Sequence, residues 1–183
     1  MQLLHNTTPT ALWHDIIHDA MRMCDIHLHE DLASYLVFLM VRYTDRPDIA
    51  KSILALDFLS GLDANSRERQ RALQEVGDKC LIFSGLFPTL AETKLVRASY
   101  FVNLGRSSYA NISTDNDIYE ALAEKFVVMM DVLQSIRSYS DEFPDLTPLQ
   151  AFDLWNDTGS KRALSVLKKH TDGTPIMFQI DEK

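Results

Sequence analysis

Apolar residues recur at helical spacing along most of the chain, interrupted by residues that cap or stop helices. A first helix opens near Thr8-Pro9-Thr10, since Thr caps and Pro in the first turn has no N–H to leave unpaired. Leu12, Trp13, Ile16, Ile17, Ala20, Met23 and Cys24 give it one broad apolar face. A second helix runs from about His29 to Thr44, with Leu32, Tyr35, Leu36, Leu39, Met40 and Tyr43 on one side. Val37, Phe38 and Val41 fill its other side, and a helix apolar all round belongs at a centre or an interface. After Asp45-Arg46-Pro47, the residues Ile49, Ile53, Leu56 and Leu59 predict a third helix that Gly61 ends.

Asn65 and Glu68 resemble a capping box opening a fourth helix, charged from Arg67 to Arg71, apolar from Cys80 to Phe87 and stopped at Pro88. A fifth is expected from Thr89 to Ile112, its second half rich in small residues (Gly105, Ser107, Ser108, Ala110) that let axes approach closely. A sixth is expected from Thr114, with Asp117 three residues on, to about Tyr139; its centre, Phe126 to Met130, is apolar on every side. Thr147-Pro148-Leu149-Gln150 is the clearest cap and opens a short helix to Trp155, with Gly159 as the stop. Ser160 caps a last helix to about His170, whose Lys168, Lys169 and His170 suit the negative end of the helix dipole. The tail from Thr174 to Ile180 is expected to be extended and docked. Short links between long helices predict an all-α, single-domain antiparallel bundle of about eight helices over residues 1–183, with the second, fifth and sixth at its centre.

Composition agrees with that picture. Apolar residues are 46% and charged residues 24%, ample for a core, and Gly and Pro at six each are too few for a turn-rich β fold. The formal net charge of −8 disfavours a nucleic-acid partner, because an acidic surface repels phosphate backbones. A nucleic-acid reading would rest only on Lys161, Arg162, Lys168 and Lys169. Cys24 and Cys80 have no metal-ligand spacing, Met1 to Thr10 lacks the pattern of a signal peptide, and Tyr35 to Val41 is too short an apolar run to span a bilayer. A cytoplasmic protein with reduced thiols and no membrane partner is therefore expected.

Three stretches resemble a family of small helical proteins from proteobacteria: Val76 to Pro88 (VGDKCLIFSGLFP), Tyr100 to Tyr109 (YFVNLGRSSY), and Leu154-Trp155 followed by Thr158-Gly159-Ser160. The likeness covers roughly residues 30 to 170. It implies a bacterial, cytoplasmic protein and brings no mechanism.

Four constellations suggest chemistry, each beside a plainer reading. His14 and His18 stand at i and i+4, the spacing of a zinc-binding helix, with His27, His29, Glu30 or Asp31 as a third ligand; solvated histidines on a polar face with Asp15, Arg22 and Asp25 are the plainer account. Gly77 and Gly85 inside a helix suggest close packing or a ligand pocket lined by Asp78, Arg97, Tyr100, Arg106 and Tyr109; an Asp–Arg pair holding two helices is the bland alternative. Ser160, Lys161 and Arg162 at a helix start suit an anion, or are an ordinary solvated start. Cys80, among Leu81, Ile82 and Phe83, reads as a buried inert thiol. With no complete catalytic set, the leading expectation is a non-enzymatic interaction protein, a homodimer with no cofactor; the rival is a small-molecule or zinc-dependent enzyme with its site inside the bundle.

Overall fold

The computed structural model describes residues 8–44, 65–88, 97–112, 117–139, 145–171, 173 and 175–176, with nothing said of the side chain of residue 66. The described residues are all-α, in eight helices: α1 (Pro9–Met23), α2 (Glu30–Thr44), α3 (Ser66–Leu86), α4 (Ala98–Ala110), α5 (Ile118–Glu124), α6 (Phe126–Arg137), α7 (Pro148–Thr158) and α8 (Lys161–His170). The count matches the expectation for a partly different reason. The expected third helix, Ile49 to Leu59, lies outside the described residues, as does most of the tail. The expected sixth is instead two helices, α5 and α6, parted at Lys125 (φ −94°, ψ 10°).

The expected caps at four helix starts are present. Thr8 Oγ1 accepts from the Ala11 N–H at 3.2 Å with Pro9 in the first turn, and Asn65 accepts from the Glu68 N–H at 3.3 Å. The return arm of the Asn65 pair runs from its own amide to the Glu68 carboxylate (2.7 Å) rather than from its backbone. Thr147 and Gln150 close a full capping box, Gly159 (φ 72°) takes the left-handed position that favours glycine, and Ser160 caps α8 by accepting from the Ala163 N–H at 3.0 Å.

Two helix starts were not expected. The fifth helix does not run unbroken from Thr89: Arg97 is extended (ψ 150°) and caps α4 without a side-chain bond, so the helix begins at Ala98. At Lys125 the backbone loosens for one residue, although its N–H still reaches Ala121 O (2.9 Å) and its carbonyl still receives the Met129 N–H (2.9 Å). Phe126, just beyond, is fully buried over Gly105, where a Cβ would lie 2.5 Å from the ring.

The buried apolar residues form one core. Its densest part is the pair α3 and α4. Gly77 lies under Tyr109, Cys80 beside Gly105, and Phe83 against Phe101 at 5.6 Å between ring centroids. Positions rise along α3 as they fall along α4, so these two run in opposite directions. Helix α6 packs on α3 where Gly85 meets Leu133, 2.6 Å from the position of a Cβ, and where Gln134 donates to the Ser84 carbonyl at 3.0 Å. Every residue from 76 to 85 is buried, so α3 belongs at the centre with the helices expected there.

Two expected apolar faces are narrower than the pattern suggested. On α1, Ile17, Ala20 and Met21 are buried, whereas Leu12 and Met23 are exposed. At about 100° per residue those two stand some 120–140° round from Ile17, beyond the arc its neighbours cover. On α2 the outward stripe carries Phe38, 58% exposed on a helix whose Leu36, Val37, Leu39 and Met40 are buried. Among the described residues no helix is long and apolar enough to cross a membrane.

Candidate functional site

Of the five residues expected to line a pocket, the structure joins Asp78 and Tyr109 by a hydrogen bond, sets Arg106 beside Tyr109 in the lining of an open concavity, and leaves Arg97 and Tyr100 apart from them. Asp78 Oδ1 accepts from Tyr35 (2.6 Å) and Tyr109 (2.8 Å), and Arg42 reaches Oδ2 at 3.1 Å. Gln74 donates to the Tyr35 oxygen (3.3 Å) and accepts from Tyr119 (3.1 Å). The network therefore ties α2, α3, α4 and α5 together. Burial pushes the Asp78 carboxyl above its ordinary value, against the pull of Arg42 and the two tyrosine hydroxyls. Burial, then the Asp78 charge, pushes the Tyr35 and Tyr109 phenols up. Arg97 pairs loosely with Asp157 at 3.8 Å, Tyr100 is exposed and its ring meets Phe101, and Arg106 is exposed and shares with Tyr109, Glu120 and Glu124 the lining of an open concavity of about 670 Å³.

Gly77 makes this arrangement possible. A Cβ there would fall 2.7 Å from Tyr109 Cδ1 and closer still to the next ring carbon, inside any normal approach. The packing account of the helical glycines thus has a named partner. Gly77→Ala is expected to force Tyr109 off Asp78 and lower stability by about 1–3 kcal/mol. Urea unfolding measures this, and an unchanged midpoint would contradict it.

The start of α8 already holds an anion, the chain's own Asp131. Ser160 Oγ donates to Oδ1 at 2.6 Å, and the N–H groups of Lys161 and Arg162 donate to Oδ2 at 3.0 and 3.3 Å. Asp131 is 2% exposed; burial pushes its carboxyl up to about 6, against those hydrogen bonds. The Arg162 side chain is engaged by Asp145 at 3.1 Å and by Ser138. Sequence reasoning missed Asp131 because it follows the apolar run Phe126 to Met130. A usable signal was its spacing with Gln134 and Ser135, which puts three polar groups on one face of a buried helix.

His14 and His18 stack at 4.0 Å between ring centroids, and His18 Nδ1 lies 2.9 Å from the His14 carbonyl. Among the described residues no group of three or more His, Cys, Asp or Glu is placed to hold a metal ion. Cys80 is fully buried, and burial pushes its thiol well above the ordinary range.

Two further open concavities are present among the described residues. A groove of about 740 Å³ between α2 and α5 is lined by Phe38, Leu32, Ile118 and Ala121, with Asp31 and Asp117 among its polar residues. A cleft of about 550 Å³ brings together Arg106 and Lys161, which the sequence had placed in two separate candidate sites, and adds Lys125. His29 and Leu32 line both. No family model, curated protein or solved structure matches the chain.

Proposed function

We propose that this protein is a non-enzymatic interaction module that pairs with a second copy of itself through the outward face of α2. The observation that carries the reading is Phe38: a large apolar side chain, 58% exposed, lining a groove of about 740 Å³ together with Leu32, Ile118 and Ala121. A projecting ring and a receiving groove on one face are what a two-fold pair needs. Each copy's Phe38 then fills the other's groove, and the contact closes without leading to a filament. Leu32, Ile118 and Ala121 supply the apolar seat.

The buried polar groups support a structural rather than a reactive interior. The carboxylates of Asp78 and Asp131 are both occupied by donors from their own chain. We place the protein in the cytoplasm, since Cys24 and Cys80 are both free, as thiols remain in a reducing compartment.

Light scattering coupled to size exclusion tests the pairing. At about 10 μM chain and above, a mass of two chains is expected. The net charge of −8 opposes association, so the dimer should strengthen as salt is raised from about 0.05 to 0.5 M. A mass of one chain across that range would overturn the reading.

A further inference from the structure

Arg106 on α4, Lys125 at the α5–α6 break and Lys161 at the start of α8 come from distant parts of the sequence and line one cleft of about 550 Å³. All three are exposed, and none of their side chains has a hydrogen-bond or ion-pair partner among the described residues. Asp25 and Glu124 line the same cleft, and neither carboxylate has an ion-pair partner among the described residues. Asp131 is also in the wall, but its two oxygens are engaged by Ser160 and the backbone of α8. The start of α8 is thus occupied, and any ligand here must be met by side chains. Leu28, Val127 and Val128 supply an apolar wall, and the cleft volume lies within the usual range for small-molecule sites.

We infer that this cleft binds a zwitterionic, amino-acid-like small molecule with an apolar side chain. Its carboxylate meets the cationic side formed by Arg106, Lys125 and Lys161, and its ammonium group meets Glu124 or Asp25. The side chain lies on Leu28, Val127 and Val128. This assignment uses the charges of both signs in the cleft and its apolar wall together. A polyphosphate fits less well, because the carboxylates of Asp25 and Glu124, without ion-pair partners among the described residues, would repel its multiple charges. The cleft shares His29 and Leu32 with the α2–α5 groove but the inference assigns neither a role, so amino-acid binding and chain mass are read separately: loss of binding with two-chain mass fails this inference alone, and binding with one-chain mass fails the dimer reading alone.

Isothermal titration calorimetry of the full chain with L-phenylalanine and L-leucine tests it. Saturable binding of at least one, at about 1 mM or tighter, is expected. Phenylpropionate, which lacks the ammonium group, phenethylamine, which lacks the carboxylate, and glycine, which lacks the side chain, should each bind about tenfold more weakly or worse. Lys125→Gln and Lys161→Gln should each weaken the amino acid severalfold while leaving phenethylamine unchanged. Circular dichroism melts matching the parent chain would establish that both variants fold, as expected for exposed side chains without partners. Lys161→Gln alone retaining the loss would still support the site if Lys125→Gln unfolds. No binding of either amino acid at several millimolar, or binding that neither substitution alters, would overturn the inference.

Discussion

Asp78→Ala is expected to destabilise the fold by about 3–5 kcal/mol, because removing one member of a buried charged network leaves the others uncompensated. Tyr35 and Tyr109 would keep hydroxyl groups aimed at a methyl, and Tyr109 is fully buried. Arg42 would suffer less, since its side chain is 53% exposed and can rotate outward. Asp78→Asn separates the acceptor from the charge. Its amide oxygen can still accept from both hydroxyls and carries no charge for burial to penalise, so a cost below about 1.5 kcal/mol is expected. Urea unfolding at neutral pH reads both variants. Equal losses would show that the charge matters more than the acceptor. In the Asp78→Ala background, Tyr35→Phe should add almost nothing, as the bond it removes is already gone.

The second large effect depends on pH. The Asp131 carboxyl is pushed up to about 6 in the fold, from an unfolded value near 4. A raised folded value means that the native state holds the proton more tightly than the unfolded chain does. This contribution is therefore fully present below about pH 4, declines as pH rises through about 6, and is constant above. About two units correspond to roughly 3 kcal/mol over that window. Asp131→Asn removes the titration and keeps one acceptor for the start of α8. Relative to the parent, the variant is expected to gain roughly 3 kcal/mol between pH 4 and pH 7. Parallel stability curves for the two proteins would refute the assignment. Asp78 acts in the same direction, so both buried carboxylates contribute more stability at acidic than at neutral pH.

The caps were legible because they are local. Thr8-Pro9, Thr147-Pro148-Gln150 and Gly159-Ser160 announce helix ends through side-chain chemistry confined to a few residues, and the structure uses each one. The breaks at Arg97 and Lys125 carry no Pro, Gly or capping side chain and sit beside tertiary contacts, which a local pattern does not encode. Exposure was legible only in part. An all-apolar α2 says that the helix has partners, but which side they occupy depends on where α1 and α5 pack, so Phe38 was unassigned.

The site followed the same rule. Gly77 implied a close approach on α3, and Tyr109 is the group that approaches; the Asp–Arg pair of the plainer reading is present, but with Arg42 of α2, which was not among the candidates. Tyr35 was read as an apolar residue, and its hydroxyl turned out to matter as much as its ring. Gln74 and Tyr119 join from other helices at sequence distances that no motif spans. Arg106 and Lys161 were singled out for different reasons, and only the packing of α4, α6 and α8 places them in one cleft.

The dimer reading rests on Phe38, and a pair of variants tests it most directly. Phe38→Glu and Leu149→Glu each place a charge at an exposed apolar position, 58% and 71% accessible, and only the first lies at the α2–α5 groove. Light scattering at about 10 μM chain should give one-chain mass for Phe38→Glu and two-chain mass for Leu149→Glu and the parent. Two-chain mass for Phe38→Glu, with the other proteins also dimeric, would show that copies pair through some other surface and would contradict the proposal.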